Sequence, residues 1–420
     1  MARSLNAHQI PSGWQYELLD KLAERCSGHT PSKSFPEYWN GGIKWISLAD
    51  SHRLDKGYVY ETDKEISTEG VKNSSANVHP AGTVVISRDA GIGKSGVMAE
   101  PMAISQHFIA WKCDNEQKMN NWYLYNWLQF NKQEFERQAV GSTIKTIGLP
   151  FFKKLKIAAP PYLEQQKIAK ILSTWDKAIS MTERLIDNST QQKKALMQQL
   201  LTGKKRLLDD EGKRFAGEWE EGLLGDLVDV TTGYAFKSNE FVEHKNDSYS
   251  IVRMSDLKEG VLNLTQSARV PKSTVVGLER YKLSEGDFIF GMSGSLDNYA
   301  TVKNVDLPCY LNQRVGKIRA KSNSNQDFVS YIYLSDRVRE SILNKAAGAA
   351  QLNISIGDLR KTSIRYPNKK EQQKIATVLV NADKEIDLLE QQLADLQQEK
   401  KALMQVLLTG KVRVVVDGES

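Results

Sequence analysis

The stretch Ala159-Pro160-Pro161-Tyr162 comes closest to a catalytic motif in this sequence. Enzymes that methylate the amino group of adenine carry Asp, Asn or Ser before two prolines and an aromatic residue. The first side chain must accept a hydrogen bond from that amino group, and the aromatic ring stacks on the extruded base. Ala159 offers no acceptor, and no glycine-rich turn followed by an acidic residue offers a cofactor site. The sequence therefore predicts that the prolines begin a helix, with Glu164 in its first turn.

A second glycine-rich stretch, AGIGKSG at residues 90–96, resembles part of a phosphate-binding loop. Such a loop needs a glycine at the position of Arg88, ahead of Gly93-Lys94-Ser95. Because arginine stands there instead, we do not expect ATP to bind to this loop.

The composition predicts a soluble globular protein, with 40% hydrophobic and 26% charged residues and a net charge of +6. We find no apolar run long enough for a membrane span. Cys26, Cys113 and Cys309 are far apart and odd in number, which favours reduced thiols and a cytoplasmic location. The six histidines form no ligand pair of the HExxH type, so no metal site is expected.

Two blocks of sequence occur twice at the same offset of 207 residues. EQQKIA occupies residues 164–169 and again 371–376, and KKALMQQLLTGK at 193–204 returns as KKALMQVLLTGK at 400–411. Eleven of the twelve positions in the longer block are identical. The sequence therefore contains an internal duplication.

Each repeated block predicts one long helix, because apolar residues recur at alternating intervals of four and three over about five heptads. The predicted spacer seam consists of Ile168, Leu172, Trp175, Ile179, Ile186, Leu196, Leu200, Ile375, Leu379, Ile386, Leu389, Leu393, Leu396, Leu403 and Leu407. Gly203 and Gly410 stand where a left-handed glycine would end each helix. The two helices can pair as an intramolecular antiparallel coiled coil. The alternative is two amphipathic helices that each pack only on their own domain.

A segment of about 160 residues precedes each helix, and the two segments share an outline but little sequence. Short β-rich runs bounded by glycine, such as residues 83–87 and 287–290, predict a twisted sheet surrounded by helices and therefore an α+β fold. The predicted division is a first globular domain at 1–158, a helix at 159–208, a second globular domain at 209–365, a helix at 366–413 and a tail at 414–420.

This duplicated pattern resembles the specificity subunit of type I restriction–modification enzymes over nearly the whole chain. The likeness is carried by the helices with EQQKIA, KKALMQ and LLTGK, by their Pro160-Pro161 and Pro367-Asn368 lead-ins, and by ISRDAGIGK at residues 86–94. The second segment departs from the pattern, with GMSGSLDN at residues 291–298. The resemblance implies two target-recognition domains, each reading one half of a split DNA sequence.

The resemblance also implies the partners and cofactors of the chain. It implies double-stranded DNA, two adenine methyltransferase subunits docked around the helices, and two ATP-driven motor-endonuclease subunits. S-adenosylmethionine, ATP and Mg would then be bound by the partner subunits, no cofactor would be bound by this chain, and this chain would not be catalytic.

Candidate DNA-binding residues are the polar and basic side chains of the glycine-bounded loops, because such side chains can read base edges or hold phosphates. In the first globular segment they are Ser87, Arg88, Lys94, Ser95, Ser142, Thr143 and Lys145. In the second they are Arg253, Ser293, Ser295, Asn298, Asn312, Arg314, Gln351 and Asn353.

Two other functions remain open from the sequence. A self-contained DNA methyltransferase would transfer methyl groups without partners, although its motifs are missing here. A coiled-coil adaptor would join proteins and leave no footprint on DNA in the presence of the methyltransferase.

The helix pair predicts how the spacing between the two half-sequences is set. Inserting four residues after Thr190 adds about 6 Å of helix and keeps the seam nearly in phase. We expect the half-sequences to stay the same while the gap between them lengthens by about one or two base pairs, as measured by sequencing methylated genomic DNA.

Exchanging residues 1–158 for the equivalent domain of another such protein should do the reverse, changing one half-sequence and leaving the gap alone. An insertion that altered the bases recognised and kept the gap would show that the helices are not the spacer.

Overall fold

The computed structural model describes residues 10–113, 117–141, 145–243, 246–345 and 353–415. Contacts divide the chain into two compact units. Unit 1 contains Met1–Arg184 and Gln391–Ser420, and unit 2 contains Leu185–Glu390. Each of the two long helices is therefore shared, with one half in each unit.

The first half of the chain forms eleven strands within the described residues. They are β1 (Gln15–Leu18), β2 (Glu24–Ser27), β3 (Trp39–Ile46), β4 (Tyr58–Val59), β5 (Lys64–Ile66), β6 (Val78–His79), β7 (Val84–Ser87), β8 (Ser95–Met98), β9 (Met102–Ile104), β10 (Phe108–Lys112) and β11 (Lys156–Ala159). The helices are α1 (Leu19–Leu22), α2 (Thr68–Lys72), α3 (Asn121–Phe130), α4 (Lys132–Gln138), α5 (Leu149–Lys153) and the long α6 (Tyr162–Leu200).

The second half of the chain repeats this order of elements in outline. Its strands are β12 (Glu220–Leu223), β13 (Val228–Thr232), β14 (Ser248–Val252), β15 (Leu257–Lys258), β16 (Val261–Leu262), β17 (Ala268–Pro271), β18 (Phe288–Gly291), β19 (Tyr299–Thr301), β20 (Cys309–Leu311), β21 (Val315–Ala320) and β22 (Ser363–Tyr366). Its helices are α7 (Leu224–Leu227), α8 (Gln326–Leu334), α9 (Asp336–Lys345), α10 (Ile356–Arg360) and the long α11 (Lys369–Leu407).

Each unit contains two larger sheets and a two-stranded ribbon, and unit 2 has one more two-stranded pair, β15–β16. Unit 1 has sheets of order β2-β10-β7-β8-β4 and β5-β3-β9-β6, and unit 2 has β13-β21-β18-β19 and β17-β14-β20. The ribbons pair β1 with β11 and β12 with β22, both antiparallel. Strands β7 and β18 are buried along their whole length, which explains why they are mainly apolar instead of alternating. These sheets and the surrounding helices confirm the predicted α+β fold.

The ends of the long helices belong to the globular cores. In unit 1, Ile168 and Leu172 of α6 pack in one cluster with Trp111 and Tyr123. In unit 2, Ile375 and Leu379 of α11 occupy the corresponding cluster, which also contains Phe288, Phe328 and Leu200. The buried aromatic rings of α3, Tyr123 and Tyr125, are core side chains of the unit 1 cluster.

The seam of the long helices follows the predicted intervals. The seam is partly covered, as expected for two helices that cover only one side of each other. Six seam residues are buried and the other nine are half-buried, the buried ones being Ile168, Leu172, Leu200, Ile375, Leu379 and Leu407. Each helix has 39 residues and is about 60 Å long. Gly203 and Gly410 have φ of 71° and 67°, so both predicted left-handed ends are confirmed.

Two ion pairs between the helices define their antiparallel pairing. In unit 1, Lys400 in the last third of α11 donates to Asp176 in the first half of α6. In unit 2, Lys193 of α6 contacts Asp383 of α11, and Asp383 also accepts a hydrogen bond of 2.5 Å from the Tyr331 hydroxyl. The two pairs are related by the 207-residue repeat. Charged groups at seam positions favour one register over its neighbours, so these pairs specify which residues of the two helices meet.

Two equivalent bidentate salt bridges, which we call the Arg–Glu clasps, connect the end of each long helix to the start of the other. Arg206 donates from Nε and Nη2 to the two carboxylate oxygens of Glu371, at 2.6 and 2.7 Å. Arg413 donates in the same way to Glu164, at 2.7 Å for both bonds. Both carboxylates are buried. A buried carboxylate needs such a partner, and the planar guanidinium satisfies both oxygens at once.

The glutamine that follows each clasp glutamate also makes the same bonds in both repeats. Gln165 donates to the Pro160 carbonyl at 2.9 Å and accepts from the Asn120 backbone N–H at 2.9 Å. Gln372 makes the same two bonds to Pro367 and Asn325, at 2.9 and 3.1 Å. Asn120 and Asn325 are the N-caps of α3 and α8. The glutamine of each repeat therefore joins a long helix to the start of α3 or α8, and the glutamate before it forms the clasp.

Within the described residues, no helix has both the length and the apolar character that crossing a membrane requires.

The clasps predict a specific loss of stability. Glu371→Gln should lower the free energy of unfolding of unit 2 by about 2–4 kcal/mol, because Arg206 would lose its charged partner in a mostly buried site. Glu164→Gln should destabilise unit 1 by a smaller amount, because the Arg413 side chain is 42% exposed and water screens its charge. Urea unfolding of the full chain measures both, with Glu183→Gln on the exposed face of α6 as the control that should change little. If Glu371→Gln unfolded with the same urea midpoint as the wild-type chain, the clasp would not stabilise this helix end.

Candidate nucleic-acid interface

The turn between β7 and β8 contains two of the predicted serines, and both are buried. Ser87 donates from Oγ to the Ala90 carbonyl at 3.0 Å, and Ser95 Oγ accepts from Gln129 Nε2 at 2.8 Å. Both side chains are 0% exposed. Gly93, with φ of 78°, donates to the Ser87 carbonyl and closes the turn. The two hydroxyls therefore hold the turn in shape from inside unit 1.

Arg88 lies at the base of this turn with a poorly paired charge. Its backbone N–H donates to His107 and its carbonyl accepts from Ile147, at 3.0 and 2.9 Å. The side chain is 19% exposed and Nε lies 3.9 Å from Asp89, without a hydrogen-bond partner among the described residues. Asp89 itself is occupied by His107 Nδ1 at 2.5 Å and by the Thr146 hydroxyl. Arg88 Nε is thus a buried donor without a partner among the described residues, on a side chain of which a small part is exposed.

A basic cleft of about 340 Å³ lies beside the turn, and it brings Lys94 and Lys145 together. Lys132 of α4 and Glu136 line it as well. Lys132 is bound to Asp55 at 2.6 Å, Lys94 donates to the Ser51 carbonyl at 3.1 Å, and Lys145 is exposed. Lys94, Lys132 and Lys145 give the cleft a basic lining against one carboxylate from Glu136, which suits an anionic group such as a phosphate. The sequence did not indicate Lys132, because α4 enters the site from a part of the chain without loop character.

In unit 2, the predicted residues with described positions lie on loops that meet. Three backbone hydrogen bonds join these loops: Asn312 N–H to Val252, Met292 N–H to Arg314, and Ile354 N–H to Met292, at 3.1, 3.0 and 2.7 Å. Ser293 also forms an isolated bridge with Asn353. Arg253, Ser293, Asn312, Arg314 and Asn353 are thus neighbours, although up to 100 residues separate them in sequence.

Most side chains of these loops have only weak internal bonds. Arg253 Nη2 donates to the Gln266 carbonyl at 3.3 Å and lies 3.6 Å from Asp256. Arg314 and Asn353 are exposed. Ser293 is an exception, since it is 8% exposed and its hydroxyl points to Met254 Sδ at 3.2 Å. The exposed amide and guanidinium groups can donate to base edges or phosphates.

An open cleft of about 540 Å³ extends this surface past Ser293, Ser295 and Asn298. Asp297 lines the same cleft, and it accepts from Arg339 at 2.5 Å and from the Ser295 hydroxyl at 3.2 Å. The hydrogen bond from Arg339 lowers the pKa of Asp297, so its carboxylate stays ionised. The cleft therefore combines donors with one fixed acceptor.

Three predicted residues, Ser142, Thr143 and Gln351, lie outside the described residues. Tyr234, which the sequence analysis did not select, lies beside Asn312 with 37% of its surface exposed. The signal that could have found it is the Gly233-Tyr234 pair between β13 and the following loop. Within the described part of the chain, no three His, Cys, Asp or Glu side chains are grouped so that they could hold a metal ion.

The chain is similar to curated specificity subunits and to solved structures of such subunits. It is 24% identical to the type I restriction enzyme MjaVIII specificity subunit of Methanocaldococcus jannaschii, over 98% of this chain and 96% of the relative. It is 20% identical to the EcoBI specificity subunit of Escherichia coli, over 87% and 78%. The crystal structure of the S subunit of a type I restriction–modification system from M. genitalium has the same fold, with a TM-score of 0.58, 15% identity and coverage of 96% and 97%.

A family model, the type I restriction modification DNA specificity domain, matches residues 11–189 and 216–398. The two matches follow the internal duplication and together cover most of the sequence. The chain therefore belongs to the family of type I restriction–modification DNA specificity proteins.

Proposed function

We propose that this chain is the DNA-reading subunit of a type I restriction–modification enzyme, and that each unit reads one half of a split asymmetric target. The observation that carries the proposal is the contrast between the scaffold and the loops. The sheets, clasps and helix ends repeat in both units, whereas the loop side chains differ, with Arg88 and lysines in one unit and Arg253, Asn312 and Arg314 in the other. Two similar scaffolds with different loops suit two different half-sequences.

Methyl transfer and cleavage then belong to partner subunits. Ala159 is buried in the ribbon β1–β11, and the Pro160 carbonyl accepts from Gln165. The Pro-Pro stretch is thus built into a helix start, which supports a non-catalytic role for this chain. We place two methyltransferase subunits and two motor-endonuclease subunits around it, with S-adenosylmethionine, ATP and Mg bound by those partners, in the cytoplasm.

Expression with the methyltransferase partner tests the function. Sequencing of the methylated host genome should yield one split adenine motif with unlike halves. Methyl transfer by the purified chain alone, or a methylated motif without two separated halves, would reject the proposal.

For the basic cleft of unit 1 we expect a loss of affinity that is the same for every DNA sequence. In the complex with the methyltransferase, Lys94→Gln with Lys145→Gln should weaken binding to every DNA sequence by the same factor. The slope of log affinity against log salt should fall by about 0.9 for each phosphate that the lysines no longer neutralise.

Glu136→Gln is the matched control, because it removes an exposed carboxylate from the same cleft and should strengthen binding. An unchanged salt slope in the double lysine variant would mean that the cleft does not hold a phosphate.

For Arg88 we expect an effect that differs between DNA sequences. Arg88→Ala should relax recognition of one half-sequence only, with a cost of about 1–3 kcal/mol if the guanidinium makes a bidentate base contact. Arg137→Ala, which removes an exposed arginine of the same unit, should leave the motif intact. Equal loss on all sequences would make Arg88 a phosphate contact.

A further inference from the structure

Two short loops occupy the same place in the two units. The loop at residues 105–107 joins β9 to β10, and the loop at residues 312–314 joins β20 to β21. Ser105 N–H donates to the carbonyl that ends β3 at 2.9 Å, and Asn312 N–H donates to the carbonyl that ends β14 at 3.1 Å. The carbonyls of His107 and Arg314 each accept, at 3.0 Å, from the residue that follows β7 or β18. The loops therefore correspond residue by residue.

A pair of glycines supports this correspondence. The residue after Gly28 donates to the carbonyl that ends β9 at 3.0 Å, and the residue after Gly233 donates to the carbonyl that ends β20 at 2.9 Å. A Cβ on Gly28 or Gly233 would lie 2.2 or 2.1 Å from those carbonyl oxygens. Only glycine permits this approach. In both units, the end of the strand before the loop, β9 or β20, is thus held by the same glycine contact.

The middle residue of each loop is a glutamine with an exposed side chain, Gln106 in unit 1 and Gln313 in unit 2. The residue before it is buried in unit 1 and half-buried in unit 2, so the glutamine is the more exposed of the two. The Gln106 amide is held by the Thr30 hydroxyl and lies 3.4 Å from His107 Nε2. Arg314 directly follows Gln313 in its loop, and the Arg88 backbone N–H donates to the carbonyl of His107, the residue after Gln106.

We propose that Gln106 and Gln313 are equivalent base-reading residues, each contacting an adenine in the major groove of its own half-sequence. A primary amide carries a donor and an acceptor side by side, which matches the N6 and N7 edge of adenine. It has no charge with which to hold a phosphate, whereas the neighbouring arginines and lysines do. The inference rests on the proposed function and specifies where sequence is read within it.

The experiment is to sequence methylated DNA from cells that carry the methyltransferase with wild-type chain, Gln106→Ala or Gln313→Ala. Each variant should lose discrimination by about 5- to 100-fold at one position, in opposite halves of the motif. Gln106→Glu and Gln313→Glu keep the side-chain shape, and each should shift its position toward cytosine, whose amino group donates to a carboxylate. Gln133→Ala, an exposed glutamine of α4, should leave the motif unchanged.

The outcomes separate this inference from the proposed function. If wild-type chain gives a split motif and the alanine and glutamate variants keep it in both halves, the base-reading assignment is wrong while the function stands. If both glutamine positions affect the same half, the assignment of one glutamine to each half is wrong. A wild-type chain that yields no split motif rejects the function itself. For a variant that methylates nothing, binding of the purified complex decides: equal weakening on all sequences would overturn base reading.

Discussion

Glu164 and Glu371 are buried carboxylates, and the structure around the long helices depends on how they are neutralised. An ionised carboxylate without a partner in such a site costs several kcal/mol. Each receives two hydrogen bonds from one guanidinium, and each of these arginines comes from just beyond the end of the other helix. A helix start is therefore stable only when the opposite helix end is in place.

This dependence explains which parts of the sequence are alike. The glutamate needs the arginine, the arginine needs the chain to turn at Gly203 or Gly410, and the turn packs on Trp219 or Trp14. Changing one member leaves a charge or a cavity, so all members are constrained together. The loops between the strands carry no such linked requirement, because their backbone bonds do not specify the side chains. Arg88 and Met292 occupy equivalent positions with the same backbone hydrogen bonds and entirely different side chains.

The scaffold could be predicted from sequence for a physical reason. Apolar residues at intervals of four and three, followed by a glycine, are typical of a long helix with a left-handed end. The spacing of Ile168, Leu172 and the later seam residues therefore predicted the helices. The loop sites were harder to predict, because polarity does not show where a hydroxyl points. Ser87 and Ser95 looked like surface ligands, yet both hydroxyls are used inside the turn. Lys132 joins the basic cleft from α4, and such a meeting depends on tertiary packing that no local pattern contains.

The split composition of unit 1 has a consequence for synthesis on the ribosome. Unit 2 is one continuous stretch, Leu185–Glu390, whereas unit 1 combines Met1–Arg184 with Gln391–Ser420. Lys400 and Arg413, which neutralise Asp176 and Glu164, are thus translated only after all of unit 2. These two carboxylates of the N-terminal part therefore stay without their partners while unit 2 is synthesised and folds. We therefore expect unit 2 to finish folding before unit 1, although domains usually fold in the order of translation.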